Sequence, residues 1–491
     1  MGLKFKALSS LLLIIALLII PSTVFADAVD NVKNSCDYEI GENENPGQSK
    51  LNCLLTEMAM EYDVPPEIVK AIAWEETNWR HFDSNGNVII SDDDGIGIMQ
   101  ITNQSQYDEQ LLMDDIVYNI KAGVEILDSM FDRRDLPTIN LKNRDFLEHW
   151  YFAIMGYNGT KPKNSPVYQS TGERNLDAYQ EQVIQNIADY SFVQLQELPF
   201  TPADFEYDSN SSENINFVTM KYNFDLPFTK SKHDLTVGDK AITTSSVKLR
   251  PEPNTLSSNY TTIPQGEIIT ITGSFVYDTN PLNSNQFVWY PVKRSNGQTG
   301  YVSSSYLKFW FKDVPKNHYS AESINYLADR GIIAGIGNGN FGMNTQLTRA
   351  QVALMVVNAT NLDTSNRPAL NFTDVPSSHF YYDAIATVVD EGIFYGTSST
   401  KFSPDSQFTR NQMVTVLQRI YDFPDASTNH PFIDVRQDPN SDWYEGSLNN
   451  LYEAGIVAGI TNTKFGPLEK VSRAQFAAFL ARAMNPDFRI Q

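Results

Sequence analysis

The chain changes its hydrophobic rhythm five times. An unbroken apolar run from Leu11 to Ile20 gives way to a polar stretch, residues 27 to 47, in which apolar positions are not periodic. From Leu51 to about Tyr190 they recur at helical spacing. Ile68, Ala71, Ile72 and Trp79 share one face behind Pro65-Pro66, where a first-turn proline gives up an amide that has no partner there anyway. Further helices are expected over 116–131, 144–155 and 176–191. Residues 200 to 235, rich in Asn, Ser, Asp and Phe, lose the rhythm and read as a linker able to pack on a neighbouring surface. From about Val237 to Leu307 short β-like runs take over: Ser246 to Pro251, Glu267 to Ile271, Trp289 to Val292 and Gly300 to Val302. Asn296-Gly297 marks a hairpin turn between the last two.

The last third repeats. Phe311-Lys312-Asp313-Val314, Phe372-Thr373-Asp374-Val375 and Phe432-Ile433-Asp434-Val435 recur 61 and 60 residues apart. Each is followed by a helical stretch ending in Gly-Ile (Gly331-Ile332, Gly392-Ile393, Gly455-Ile456) and a Gly/Asn/Thr turn. A second helix then opens at Thr348-Arg349-Ala350-Gln351, Thr409-Arg410-Asn411-Gln412 or Ser472-Arg473-Ala474-Gln475, with Thr or Ser as N-cap. The Gly335 to Gly339 run suggests a phosphate loop only in isolation, because the other repeats carry the same turn with fewer glycines.

These shifts divide the 491 residues into 1–26, 27–50 (linker), 51–195, 196–236 (linker), 237–310 and three repeats, 311–371, 372–431 and 432–491. The expected class is multidomain α plus β: an all-α domain, a small all-β barrel and a mainly α three-repeat unit. Lys4 and Lys6, the apolar core and Val24-Phe25-Ala26 form a secretion signal cleaved before Asp27. Its core is short of the roughly 18 to 20 residues of a membrane span, and no span is expected after cleavage.

The net charge is −22 with a pI near 4.6. Without a Lys/Arg stripe, nucleic acid and anionic lipid are excluded as partners. In an exported chain Cys36 and Cys53 are expected to pair, closing a short loop worth about 3 kcal/mol in the chain-entropy model. Six scattered histidines, no His-Glu-x-x-His and no Cys-x-x-Cys leave no metal ligand set, so neither metal nor cofactor is expected. Asp83-Ser84-Asn85-Gly86-Asn87 has its glycine at the fourth position of a calcium-type loop rather than the sixth.

Candidate chemistry centres on Glu75 and Glu76 at the end of the first helix. Helical geometry sets Glu76 beside Ile72 and Ala73 and Glu75 near Ile68 and Ile72, so periodicity does not choose between them. Glu76-Thr77-Asn78-Trp79, Gly95-x-Gly97-x-Met99-Gln100, Asn119-Ile120-x-x-Gly123-x-x-x-Leu127 and Tyr157-Asn158-Gly159 follow in order. Through these motifs residues 51–195 resemble the lysozyme-like domain of soluble lytic transglycosylases, with Thr77 where that family has Ser. The resemblance implies that Glu76 is the general acid and then base, and that Gly97, Met99, Gln100, Tyr157 and Asn158 line a saccharide groove. It implies cleavage of the β-1,4 bond between N-acetylmuramic acid and N-acetylglucosamine, giving a 1,6-anhydro-muramyl end. A hydrolytic muramidase would want a second acid about 6.5–9.5 Å away, for which Asp92, Asp93 and Asp94 are the candidates.

Val247-Lys248-Leu249-Arg250-Pro251 and the Trp289-Tyr290-Pro291-Val292 to Gly300-Tyr301-Val302 close resemble a bacterial SH3-like domain. The repeats resemble S-layer homology domains, which implies binding of secondary wall polysaccharide, often pyruvylated, by Asp313, Arg349, Asp374, Arg410, Asp434 and Arg473. Departures from that family's pattern are Gln at the fourth motif position, Asn411 in the second repeat, and a third repeat without the pair seen at His318-Tyr319 and His379-Phe380. The expectation is an enzyme of a Gram-positive cell wall. The competing reading, from another class, is a non-catalytic surface or adhesive protein with a degenerate lysozyme-like domain.

Overall fold

The computed structural model describes residues 28–490 other than 42, 257–260, 281–282 and 439. The expected secretion signal lies outside the described residues. The first part is helical, with α1 (Ala28–Ser35), α2 (Gln48–Glu61), α3 (Pro66–Thr77), α4 (Glu109–Asp114), α5 (Ile116–Asp132), α6 (Tyr151–Asn158) and α7 (Tyr179–Asn186). Helix α3 starts at the expected proline. It stops because Asn78 and Trp79 turn left-handed, at φ 53° and 60°. Trp79 folds back so that its Nε1 donates to the Lys70 carbonyl at 2.7 Å, which fixes the helix end that carries Glu76.

The stretch before α2 is docked rather than loose. Val29 and Val32 of α1 are buried in the same core as Leu54, Ile68 and Ile120. Cys36 and Cys53 form a disulfide, and Lys33 pairs at 2.6 Å with Asp115, which also caps α5 through the Val117 and Tyr118 amides. The helix expected over 144–155 begins later, as a 3-10 turn Leu147–Trp150 leading into α6. Trp150 Nε1 donates to the Arg144 carbonyl and holds the preceding residues as a loop. Residues 187–191 continue α7 as a single π turn.

Residues 196–236 also pack. Strand β1 (Thr138–Ile139) pairs in parallel with β4 (Lys221–Tyr222), and β2 (Phe205–Glu206) pairs with β3 (Asn216–Phe217). Phe205, Ile215, Tyr222 and Phe228 bury against Phe146, Tyr151 and Phe152 of the helical domain. Aromatics without periodicity thus seal a flank of the domain, at roughly 1.5–3 kcal/mol for each fully buried large apolar side chain.

Strands β5 (Lys240–Thr243), β6 (Val247–Leu249), β7 (Thr261–Ile263), β8 (Ile268–Ile271), β9 (Trp289–Lys293), β10 (Thr299–Ser303) and β11 (Leu307–Trp310) form the barrel. One antiparallel sheet runs β10-β9-β8-β5-β11, and β6 pairs with β7. The β9–β10 hairpin turns at Asn296-Gly297, where Gly297 has φ 88°. Alternate residues Ile269, Ile271, Tyr290, Val292 and Val302 face inward. The barrel meets α2 and α3 directly: Asn52 Nδ2 donates to the Phe287 carbonyl at 3.1 Å and Lys70 Nζ to the Gln286 carbonyl at 2.5 Å.

The repeats supply α8 (Ala321–Ala328), α9 (Arg349–Thr360), α10 (Tyr382–Asp390), α11 (Arg410–Tyr421), α12 (Ile433–Arg436), α13 (Glu445–Glu453) and α14 (Arg473–Met484). The second helix of each repeat packs on the first helix of the next, α9 on α10, α11 on α13 and α14 on α8, so the ring closes. Three backbone bonds close with it: Leu347 N to Val471 O at 3.0 Å, Val471 N to Phe408 O at 2.9 Å and Phe408 N to Leu347 O at 2.8 Å. All three repeats share one core. Among the described residues no helix is long and apolar enough to cross a membrane.

Candidate active site and wall-binding unit

Glu76 lies in the last turn of α3, half-buried. Burial pushes its carboxyl up from the ordinary carboxylate range to about 7; a hydrogen bond from Tyr179 opposes this, while the charges of Glu75 and Asp93 add to it. The negative end of the helix dipole acts in the same upward direction. Tyr179 Oη donates to Glu76 Oε1 at 2.5 Å, and burial together with Glu76 raises the phenol's own pKa, so Tyr179 stays a donor. Glu75, which periodicity left as a rival, turns away, its Oε2 accepting Asn186 Nδ2 at 2.8 Å.

The glycine-rich turn is built to approach α3. Gly97 has φ 70°, and a Cβ there would sit 2.4 Å from His81 Cε1 and 2.6 Å from Asn119 Nδ2. His81 Nδ1 accepts the Ile98 amide and its Nε2 faces the Met113 carbonyl, while burial lowers its pKa, so the ring is a neutral strut. Asn119 accepts the Met99 amide and donates to the Ile96 and Leu112 carbonyls. Gly123 is small because Met99 packs on it, 2.7 Å from where a Cβ would stand. Thr77 Oγ1, donating to the Ile98 carbonyl at 3.2 Å, ties the turn to the helix.

Of the residues expected to line the groove, Met99 and Gly97 are buried in this framework, and Gln100 is folded back with Nε2 on the Gly97 carbonyl at 2.7 Å. Tyr157 is brought to Glu76: its hydroxyl donates to the Met99 carbonyl at 2.7 Å, and burial together with the nearby Glu76 charge raises its pKa, so it stays a neutral donor. Asn158 is exposed and accepts Asn164 Nδ2 at 3.0 Å. Tyr179 was missed by sequence reasoning; an aromatic at a helix start, 103 residues from Glu76, carries no local signal. Asp93, exposed and bonded by Ser91 Oγ, is close enough for its charge to raise Glu76. Among the described residues no group of three metal-ligating side chains converges.

In the repeats, Arg349, Arg410 and Arg473 are buried wedges. Arg349 donates to the Phe402 and Tyr395 carbonyls of the second repeat, Arg410 to Phe465 and Ala458 of the third, and Arg473 to Phe341 and Ala334 of the first. Each guanidinium stacks on the phenylalanine whose carbonyl it holds, at 4.6, 4.5 and 4.6 Å. Burial lowers all three pKa values, Arg349 and Arg410 to about 10, so they stay cationic at neutral pH. Asp313, Asp374 and Asp434 accept the backbone amides of the same turns, Phe341 and Gly342, Phe402 and Ser403, Phe465 and Gly466. No Arg349, Arg410 or Arg473 ion pair with an aspartate occurs among the described residues.

Tyr319, Phe380 and Trp443 are 61 %, 87 % and 51 % exposed, two residues ahead of α8, α10 and α13 respectively. The third repeat therefore keeps an exposed ring, which extra residues before Trp443 hide from a motif search. Tyr319 lies within electrostatic reach of Arg410 and Arg482, so ring and guanidinium come from different repeats.

Comparison with known proteins assigns the same three units. Residues 54–179 match the transglycosylase SLT domain, residues 245–308 the bacterial SH3 domain, and residues 311–353, 371–414 and 438–477 the S-layer homology domain. A surface-layer 125 kDa protein of Lysinibacillus sphaericus is 32% identical over 179 residues, 34% of this chain and 14% of that protein. The S-layer protein sap of Bacillus anthracis is 30% identical over 172 residues, 35% and 21% respectively. An endoglucanase of Bacillus sp. (strain KSM-635) is 34% identical over 123 residues, 25% and 12% respectively. The chain thus spans 12% to 21% of the length of these relatives, which range from surface-layer proteins to an endoglucanase. What all of these findings establish is a transglycosylase SLT-type helical domain joined to a bacterial SH3 domain and to three S-layer homology domains.

Proposed function

We propose that this protein is a peptidoglycan lytic transglycosylase of the cell surface, held to wall polysaccharide by its S-layer homology ring. The observation that carries the reading is Glu76: a carboxyl raised to about 7 by burial, oriented by Tyr179, inside a domain of the SLT type. A group with that pKa is substantially protonated at neutral pH and ready to give up its proton. Glu76 protonates the glycosidic oxygen as the C1–O bond breaks. The resulting carboxylate takes the proton of the muramyl 6-hydroxyl as that oxygen bonds to C1, leaving a 1,6-anhydro ring. Water is not consumed, and no second acid is required. Gly97, Met99 and Gln100 form the turn beside the sugar, and Tyr157 and Asn158 complete its far wall.

Anchoring rests on the closed ring. Each guanidinium uses Nε and Nη2 on its neighbour's carbonyls and keeps its charge, and Arg410 does so within reach of the exposed Tyr319, a pairing suited to an acidic sugar such as a pyruvylated one. The aspartates Asp313, Asp374 and Asp434 shape the same turns. The likeness to S-layer proteins supports a cell-surface site of action.

Mass spectrometry of peptidoglycan digested by the full-length protein tests the chemistry. Anhydro-muramyl ends that vanish with Glu76→Gln support it. Reducing muramyl ends alone would transfer the role to hydrolysis with Asp93 as second acid, and no release from any peptidoglycan would favour a non-catalytic surface protein.

A further inference from the structure

Each motif arginine of the ring has a companion position nine residues further along its helix: Asn358 on α9, Arg419 on α11 and Arg482 on α14. Each companion donates to the isoleucine carbonyl of its own repeat's Gly-Ile turn. Asn358 Nδ2 meets Ile332 at 3.3 Å, Arg419 Nη1 meets Ile393 at 3.0 Å and Arg482 Nη1 meets Ile456 at 3.2 Å. The motif arginine of the preceding repeat holds the carbonyl two residues on: Arg473 at Ala334, Arg349 at Tyr395 and Arg410 at Ala458. Companion and motif arginine therefore share one groove between repeats, three times over. Two grooves hold a second cation there, and the third holds a neutral amide.

What the guanidiniums have left to offer also differs. The buried motif arginines use Nε and Nη2, the side of the fork that grips an oxyanion in two parallel bonds, on backbone carbonyls. Arg419 and Arg482 are committed only through Nη1, and among the described residues their Nε and Nη2 have no hydrogen-bond acceptor. Arg419 is exposed and Arg482 half-buried. In a chain of net charge −22, neither meets a carboxylate among the described residues; the ionisable neighbour of each is a tyrosine, Tyr395 for Arg419 and Tyr319 for Arg482. Tyr395 stacks on Arg419 at 4.1 Å and is itself 62 % exposed. A guanidinium braced along one edge, with its fork open to solvent and no acid nearby, is set to take a ligand's anion. We propose that Arg419 and Arg482 grip a singly charged oxyanion of the wall polysaccharide, so that the ring has two anion-binding grooves and a third, at Asn358, without one. This rests on the reading of the ring as a wall-polysaccharide anchor. The motif arginines then hold the shape of each groove and add their charge, while Tyr395 and Tyr319 offer faces to the sugar. A sugar carboxylate and a backbone phosphodiester both present two oxygens and one charge to such a fork.

The test uses the full-length protein with ¹⁵N-labelled arginine, titrated with a methyl hexoside bearing a pyruvyl ketal, with the methyl ester of that ketal, and with a glycerol phosphodiester. The Nε signals of Arg419 and Arg482, assigned by their loss in Arg419→Met and Arg482→Met, should move saturably with an anion and stay still with the ester. Whichever anion moves them identifies the source, carboxylate or phosphodiester. In sedimentation with purified walls, each single variant should bind about tenfold more weakly and the double variant more weakly still. Asn358→Leu should bind as wild type does. The Tm of the arginine variants should hold, since their forks face solvent, whereas Arg473→Met loses fold and binding together. Movement at Arg349, Arg410 and Arg473 with Arg419 and Arg482 unmoved would overturn the proposal and leave the anchoring reading in place. An equal response to the ester, full wall retention by the double variant, or a loss in Asn358→Leu matching that of the arginine variants would do the same. Failure of the wild type to bind walls at all would overturn the anchoring reading, and this proposal with it.

Discussion

Tyr179 Oη stands 2.5 Å from Glu76 Oε1 and donates to it. The bond favours the charged carboxylate and so pulls against the burial that raises Glu76 to about 7. Tyr179→Phe should therefore raise the carboxyl further. Because the reaction starts from the protonated acid, activity falls as pH rises through that pKa, and the alkaline limb of kcat/KM on peptidoglycan should move to higher pH in the variant. An unmoved limb, or one displaced to lower pH, would show that Tyr179 does not set the acid.

Glu76→Gln should cost about 10²–10⁴-fold in turnover. Its effect on stability has the opposite sign. The native carboxyl, raised to about 7, holds its proton more tightly than the unfolded one, near 4.5. Wild-type stability therefore declines as pH climbs from about 4.5 to 7 and is level beyond. Gln does not ionise, so the Tm of the variant relative to wild type should rise between pH 4 and pH 8. A constant difference across that range would refute the burial of this charge.

Glu67 works in the other direction. Burial alone would raise it, but His233 at 3.0 Å and Lys70 outweigh burial and bring it down to about 2. Its contribution is fully present above the unfolded pKa near 4.5 and is lost as pH falls through about 2. Glu67→Gln leaves Lys70 without its counter-charge and His233 Nδ1 without its carboxylate partner in a buried site, a loss of about 3–5 kcal/mol at neutral pH. Chemical denaturation at pH 7 and pH 3 should show a gap between wild type and variant that narrows on acidification.

In the S-layer homology ring, structure and binding should separate by residue. Arg473→Met removes the donors that hold the third repeat to the Phe341 and Ala334 carbonyls of the first, so it should melt the repeats early and release the protein from purified walls together. Alanine at Tyr319, Phe380 and Trp443 should weaken wall sedimentation with little change in Tm, because exposed rings contribute little to folding. Wall retention by the triple variant would rule out these rings as the binding surface.

Much of this protein was written in one dimension. The start of α3 behind Pro65-Pro66, the Gly97 turn, the Asn296-Gly297 hairpin and the threefold recurrence of Asp and Arg depend on short-range backbone requirements, which leave residue-type signatures close together in the chain. Periodicity offered Glu75 and Glu76 equally, because both flank the apolar stripe; what separated them was which neighbour each met, Asn186 or Tyr179, and both neighbours come from α7, more than a hundred residues away. The linker reading of 196–236 was incomplete for the same reason, since Phe205, Tyr222 and Phe228 bury against helices that alternation within their own segment cannot register. The repeat arginines showed their charge in sequence, but only the closed ring revealed that each is buried against the next repeat's carbonyls. Helix ends and tight turns are settled by local sterics, whereas burial, proton affinity and partner choice are properties of the packed surroundings, and these exist only after distant segments have met.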